Sequence, residues 1–384
     1  MKKIFILLTL FSFLFLTGCG KNSTEDIFKD LTNKINNLTS YKLSGNLDVK
    51  NDNTTYNYQV EVSYQEKDKF KVSLVNTSNN HEQVILRNDD GVFVLTPSLN
   101  KSFKFQSDWP YNNSQIYLLA SIIDDLNNDS NVQKEEENGK YIFTSKVNYP
   151  NYSYITKQKV TVTNALMIEK VEVLTDDDEA EMTFTISSID YNPTFDESYF
   201  EVNSIINNNN NNQENNNSSP NNDNQSQTDK TTQNNNQNNN QTNNSTENNN
   251  SSSNNQANNN QNTNTEETAT LDDIIYPLYL TTGTVLEEQE KVSKTDGERV
   301  ILTFGGEKSF TLVEETVSKE EEFTIIPTYG EPHLVNDTIG AMTDNSLNWI
   351  SDNIEYYLVS EVMNSSELLE IANSIIVQAV IIQK

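Results

Sequence analysis

Apolar side chains in the first half of the chain recur at every second position, in one short run after another. The clearest runs are Tyr41 to Val49, Tyr58 to Tyr64 and Phe70 to Leu74. Further apolar runs follow at Val84–Leu86, Val92–Leu95, Phe103–Phe105, Tyr141–Val147, Lys159–Thr163, Met167–Val173 and Met182–Ile189. A period of two is typical of strands with one buried face and one face in water. The pattern predicts an antiparallel sheet of about ten consecutive strands.

Two stretches of the same region have a helical period instead. Ser23 or Thr24 can cap a first helix, in which apolar residues recur on one face from Ile27 to Leu38. A second helix is predicted from Ser114 to Leu126. We expect one long, curved meander whose apolar concave face is covered by these helices. Such a face holds either a ligand or a packed core.

A second folded region is predicted from residue 269 to residue 384. Its expected strands are Gly297–Phe304, Ser309–Val313, Thr324–Ile326, His333–Val335, a hairpin over Asn348–Ser360, and a last strand at Ile376–Ile382. Asn364 or Ser365 can cap a helix that carries Glu367 in its first turn. The region is predicted to be a small α+β module.

Between the two regions the sequence consists almost entirely of Asn, Gln, Ser and Thr. Residues 205–268 contain too few apolar side chains to bury, so ordering them would cost entropy with nothing to offset it. We predict a disordered linker. The alternative is a polar segment that promotes assembly.

The N-terminus has the pattern of an export signal. Lys2 and Lys3 precede an apolar run from Ile4 to Phe15, which is too short to span a membrane. The order Leu16-Thr17-Gly18-Cys19 resembles the bacterial lipobox, in which the cysteine sulfur carries a diacylglycerol. This predicts a signal peptide at residues 1–18, a lipidated tether at 19–24, and a protein held on the extracytoplasmic face of the cell membrane. The alternative is an ordinary secretory signal with an incidental cysteine.

Net charge limits the possible partners, and cysteine content limits how the fold can be stabilised. The formal net charge of −30 repels nucleic acid and anionic lipid head groups. Cys19 is the only cysteine, so no intrachain disulfide can form and the folded regions depend on their cores.

Residues with catalytic potential are few and scattered. His81 and His333 have no partner at a metal-binding or catalytic spacing, and both are predicted to be ordinary surface residues. The acidic run Asp176–Glu179 lacks the alternating spacing of a calcium loop and is better explained as a solvated hairpin tip. The sequence therefore predicts a protein that is not an enzyme and has no cofactor or metal.

The first region resembles the LolA/LolB/RseB superfamily of periplasmic and lipoprotein-binding folds. The resemblance covers residues 25–204 and is most specific at Asp90–Pro97 and Ser98–Ser102, where a hairpin leads to a strand ending at a proline loop. Residues 103–110 and the helix beyond resemble Gram-positive sporulation and germination lipoproteins of this fold. Residues 269–384 resemble the small module that follows such folds, at Tyr276–Leu280, Tyr329–Pro332, Trp349–Leu358 and Glu367–Ile375.

This resemblance implies α+β architecture, mostly antiparallel β: an open half-barrel with a helical lid, plus a second small α+β domain. Members bind acyl chains in an apolar cavity or bind protein partners. The inferred cavity residues are Phe70, Leu74, Leu86, Phe93, Leu95, Phe103, Phe105, Trp109 and Tyr111. Trp109 and Tyr111 fit equally the rim of a cleft or a cap over a core.

Two functions of different classes stay open at this point. The first is a membrane-anchored lipoprotein that binds a hydrophobic ligand, either a lipid or the acyl chain of a lipoprotein. The second is a lipoprotein of the same fold with a filled cavity, which binds an envelope protein as a sensor or scaffold and regulates an envelope or cell-wall enzyme. Soluble carriers such as LolA move between membranes, so an anchored chain does not fit a shuttle.

Overall fold

The computed structural model describes residues 23–51, 54–206, 271 and 273–376. The predicted signal peptide, Cys19 and the linker from residue 207 onward lie outside the described residues, as does the predicted last strand beyond Ile376. Within the described ranges, no helix has the length and apolar character needed to cross a membrane.

The first region forms one antiparallel sheet made of two meanders, which are joined by the pairing of the first strand with the last, and not the single long meander that the sequence predicts. Its strands are β1 (Ser40–Asn51), β2 (Thr54–Gln65), β3 (Lys69–Asn76), β4 (Glu82–Asn88), β5 (Gly91–Thr96), β6 (Lys101–Phe105), β7 (Gln133–Glu137), β8 (Lys140–Lys146), β9 (Ile155–Val162), β10 (Ile168–Thr175) and β11 (Ala180–Tyr191). They are arranged in the order β6-β5-β4-β3-β2-β1-β11-β10-β9-β8-β7, without closing into a barrel. The predicted fold class of an open antiparallel sheet is therefore confirmed.

Two helices cover one face of this sheet. Helix α1 (Thr24–Asn36) begins at the predicted cap, where Ser23 and Asp26 form a capping box. Helix α2 (Leu119–Asn128) begins five residues later than predicted. The reason is that Ser114 makes other contacts: its hydroxyl donates to Asp125 (2.9 Å) and accepts from the backbone amide of Asn148 (2.8 Å). These bonds hold the preceding segment in an irregular conformation.

The second region forms a sheet of its own. Its strands are β12 (Val285–Ser293), β13 (Glu298–Gly305), β14 (Phe310–Thr316), β16 (Glu331–Val335), β17 (Thr338–Met342), β18 (Ser346–Ser351) and β19 (Ile354–Val359), in the order β12-β13-β14-β19-β18-β17-β16. Helix α3 (Ser365–Asn373) begins with the predicted cap, a capping box between Asn364 and Glu367. Strand β12 was not predicted, because it is an edge strand exposed on both faces and shows no apolar period.

One strand of the second region belongs to the first sheet. Strand β15 (Thr324–Thr328) is parallel to β6 and pairs with it from Thr324↔Lys101 to Thr328↔Phe105. Sequence analysis predicted this strand but not its partner. The described residues on both sides of the linker belong to one compact unit. The boundaries at residues 204 and 269 stay a prediction about the sequence.

Candidate functional site

The concave face of the first sheet is filled by side chains. Several of the covering residues from α1, α2 and the segment between β6 and α2 are at most 1% exposed, among them Leu31, Trp109, Leu119, Ile122 and Ile123. They belong to the same buried cluster as Phe70, Phe143 and Phe184 of the sheet. The face predicted to hold a ligand or a core is occupied by a core over most of its area.

A small space remains at one end of this core. Its volume is about 70 Å³, and its walls include Leu47, Leu74, Tyr152 and His333. The His333 ring stacks on Tyr152 with 5.3 Å between ring centroids, and burial lowers the pKa of His333 to about 4. The prediction of an ordinary surface histidine is wrong here, because a neutral imidazole packs as part of the wall. Pockets for small ligands usually measure about 300–1,000 Å³.

The nine residues predicted to line a cavity do not lie together. Phe70, Leu74, Phe105 and Trp109 belong to the concave core. Phe103 is half-buried and packs both against this core and against Leu99, Val317 and Ile350. Tyr111 is 55% exposed and donates a hydrogen bond to Asp68. Leu86, Phe93 and Leu95 lie on the opposite, outer face.

These outer-face residues pack against the end of the first region. Leu86, Phe93 and Leu95 form a separate buried cluster with Val84, Phe200, Val202, Ile205 and Ile206. The central residues of these strands, Val84–Leu86 of β4 and Val92–Leu95 of β5, are all apolar because both faces of the strands are covered. A continuous apolar run has no period that assigns a residue to one face. The sequence therefore could not separate the concave set from the outer set.

A hydrogen-bonded amide network joins the end of the first sheet to the second region. Asn51 donates both amide hydrogens, to Asn336 Oδ1 (2.8 Å) and to the carbonyl of Asn373 (3.0 Å). Asn336 donates both of its own, to the carbonyls of Ala372 and Ile375 (3.0 Å each). The Tyr58 hydroxyl donates to the Asn336 carbonyl at 2.8 Å. The sequence does not single out Asn336, because an asparagine in a turn carries no distinctive signal.

An open cleft of about 570 Å³ lies beside this network. Its walls carry four tyrosines, Tyr56, Tyr152, Tyr154 and Tyr279, and we refer to it as the tyrosine cleft. The charged residues along it are Lys50, Glu179, Glu181 and Glu370. Its volume is in the range of ligand-binding sites. Among the residues that the structure describes, no three His, Cys, Asp or Glu side chains are grouped to hold a metal ion.

A buried carboxyl group positions one wall of the cleft. Glu314 on β14 is fully buried, and both of its carboxyl oxygens accept from the Ile275 amide, at 3.1 and 3.2 Å. The Leu278 amide donates to the carbonyl of Ser374 (3.2 Å), which fixes the next turn of chain before Tyr279. Burial raises the pKa of Glu314 to about 7.

We expect Glu314 to make the fold less stable as the pH rises. The pKa of Glu314 is about 7 when folded against 4.5 ordinarily, so its contribution is complete below pH 4.5 and is lost as the pH rises through 7. The loss between pH 5 and pH 8 should be about 2–3 kcal/mol in the free energy of unfolding. Glu314→Gln keeps an acceptor for the Ile275 amide and has no proton to lose. Its free energy of unfolding, measured with urea, should therefore fall between pH 5 and pH 8 by this much less than that of the wild type.

Asp125 also makes the fold less stable as the pH rises, and it does so equally in the wild type and in Glu314→Gln. Burial raises its pKa to about 7, so the wild type minus Glu314→Gln difference isolates Glu314. Parallel pH profiles for the two proteins would contradict the prediction.

Known proteins share sequence and structural features with this chain. The sporulation protein YdcC of Bacillus subtilis is 32% identical over 376 residues, which cover 97% of each chain. No model of a known protein family matches. The MucA/MucB complex of Pseudomonas aeruginosa covers 93% of this chain and 99% of its own, at 10% identity and a TM-score of 0.28. The LolA superfamily protein NE2245 of Nitrosomonas europaea covers 48% of this chain and 100% of its own, at 9% identity and a TM-score of 0.29.

Proposed function

The chain belongs to the family of the Bacillus subtilis sporulation protein YdcC, and we propose that it is an extracytoplasmic lipoprotein, anchored through Cys19, that binds a protein partner in sporulation without catalysing a reaction. The observation that carries this proposal is the filled concave face. A half-barrel used as a carrier keeps room for its ligand, whereas a half-barrel used as a scaffold needs only its outer surfaces.

The size of the remaining space supports a scaffold. About 70 Å³ at one end of the core is well below the several hundred Å³ that a lipid-sized ligand occupies. Opening more room would require displacing α2 or the segment that carries Trp109. Such a movement would expose Leu119, Ile122 and Ile123, which are fully buried. Binding of a lipid or acyl chain in the half-barrel stays a prediction.

Anchoring supports the same choice. With −30 formal charge, the chain gains nothing from anionic head groups, so two or more acyl chains on Cys19 would supply the attachment. A scaffold acts where it is anchored, and the partner comes to it.

A genetic experiment tests the proposed role. The gene is deleted in its own host and restored with the wild type or with Cys19→Ala, and heat-resistant spores are counted beside a membrane fractionation. We expect the deletion to lower the spore count, the wild type to restore it, and Cys19→Ala to leave the membrane fraction and restore less. A deletion strain that sporulates at the wild-type level would contradict a role in sporulation.

Native mass spectrometry separates partner binding from lipid binding. The full Cys19→Ala chain carries no covalent lipid, so any lipid mass must come from a non-covalent site. We expect a bare mass that does not change when fatty acids or phospholipids are added. A reproducible excess that corresponds to one lipid per chain would favour the carrier function over the scaffold.

A further inference from the structure

The tyrosine cleft exposes aromatic faces at its mouth. Tyr154 and Tyr279 are 47% and 44% exposed, although each borders the cleft. Tyr152 is buried behind Tyr154, and the two rings meet edge to face with 6.0 Å between centroids. Aromatic faces attract ammonium and guanidinium groups through the ring quadrupole. The walls of the cleft are therefore suited to a cation that is only partly desolvated.

The charges around the cleft are mainly negative. Glu179 and Glu370 are exposed and both line the cleft, one from the β10–β11 hairpin and the other from α3. The same hairpin continues the acidic side with the exposed Asp176 and Asp177. Lys157, which is close to the hairpin, is paired with Asp178 at 2.7 Å. Glu179, the last residue of the acidic run that the sequence assigns to a solvated hairpin tip, thus borders a cavity, and the field of the run extends into that cavity.

The side-chain amides of Asn51 and Asn336, which line the cleft, have no N–H group left to donate to a ligand. All four amide hydrogens of Asn51 and Asn336 are used within the protein. The glutamates on the walls are acceptors when ionised. A ligand that brings its own hydrogen-bond donors and positive charge therefore finds three glutamates along the cleft, whereas an anionic ligand finds only one lysine, Lys50.

We propose that the tyrosine cleft binds a lysine- or arginine-rich segment of a protein partner. This inference rests on the proposed function, since it names the chemistry of the partner. A lysine or arginine chain lies along Tyr154 and Tyr279 and places its charged group between Glu179 and Glu370. The amide network holds both walls in register, so little ordering is needed on binding.

The test is fluorescence anisotropy of a labelled lysine–serine peptide with the full chain in detergent. The same peptide with glutamate in place of lysine is the control and should not bind. Glu179→Gln with Glu370→Gln should weaken binding about tenfold, and raising the salt from about 50 to about 300 mM should reduce the difference. Tyr154→Leu with Tyr279→Leu should weaken binding about fivefold at unchanged charge.

A matched charge control separates the cleft from general attraction. Glu135→Gln with Glu137→Gln makes the same change in net charge on exposed positions of β7, an edge strand that is separated by β10, β9 and β8 from β11, which lines the cleft. This variant should bind the peptide within about twofold of the wild type, because distant exposed charges are screened. An equal loss in both double variants would overturn the proposal. Binding seen only after residues 377–384 are removed would overturn it as well, since the cleft would then serve the chain's own end.

The spore count distinguishes this inference from the function on which it rests. If Glu179→Gln with Glu370→Gln restores sporulation as well as the wild type, while the deletion strain is defective, the cleft assignment fails and the lipoprotein role stands. If the deletion strain itself sporulates normally, the proposed function fails whatever the peptide does. In all three double variants, an unchanged urea midpoint shows that the fold is intact.

Discussion

Replacing Trp109 with alanine should destabilise the fold by about 3–5 kcal/mol, the usual cost of removing a large buried aromatic side chain. The indole is 1% exposed and meets Phe70 edge to face, with 6.0 Å between centroids. The backbone around it is also fixed, because the Trp109 carbonyl accepts from Arg87 and its amide donates to the Ser107 hydroxyl. The surroundings therefore cannot collapse easily into the space. Urea unfolding followed by circular dichroism measures the loss.

Tyr111→Ala is the matched control, two residues along the same segment. Tyr111 is 55% exposed, so its removal loses an edge contact with Phe70 and one hydrogen bond to Asp68. Its cost should stay below about 1 kcal/mol. The comparison also decides between two interpretations of this segment. From the sequence, Trp109 and Tyr111 fit equally the rim of a cleft or a cap over the core. A small cost at Trp109 would mean that it covers an open cavity.

Trp109→Ala also tests whether the half-barrel is filled. The wild type should not enhance the fluorescence of an apolar dye, whereas Trp109→Ala creates a void in the concave core and should enhance it. Strong dye binding by the wild type, at the same concentration, would contradict a filled core and favour the ligand carrier.

The sequence predicts those parts of the fold that have a local period. Strands β1 to β3 alternate clearly, and the structure buries Leu43, Val62 and Val72 as that alternation requires. The caps of α1 and α3 were equally readable, because Ser23 and Asn364 each stand three residues before the acidic residue that completes the capping box. Local chemistry decides these features, so a single sequence contains them.

Features that depend on distant segments were not predictable. The pairing of Thr324 with Lys101 joins strands more than 200 residues apart, and nothing in either strand specifies the other. The tyrosine cleft likewise combines Tyr56, Tyr154 and Tyr279 from three separate segments. The sequence identified aromatic and acidic residues, but only the fold determines which of them share a site. The site residues that the sequence suggests therefore stay a prediction.

The second large effect is expected at Gln83, which joins the two sheets. Gln83 on β4 is 5% exposed, and its carbonyl oxygen accepts from the Thr338 hydroxyl (3.0 Å) and from the Ile339 amide (2.5 Å), both on β17. Gln83→Leu removes this acceptor and leaves the buried Ile339 amide without a partner. The free energy of unfolding should fall by about 2–4 kcal/mol, because the Ile339 amide would be removed from water without gaining a hydrogen bond in the protein. Urea unfolding gives the total, and hydrogen exchange at the Ile339 amide gives the local loss.

Gln59→Leu is the control for this substitution, since Gln59 is exposed on β2 and the same change there should alter the free energy of unfolding by no more than about 0.5 kcal/mol.

The comparison of these two variants shows what links the two sheets. With Cys19 as its only cysteine, the chain has no intrachain disulfide to join its two sheets, so contacts such as those of Gln83 and Asn336 must do so. If Gln83→Leu were as stable as Gln59→Leu, with unchanged exchange at Ile339, β17 would be held by packing alone. The walls of the tyrosine cleft would then depend on the Asn51–Asn336 network for their register.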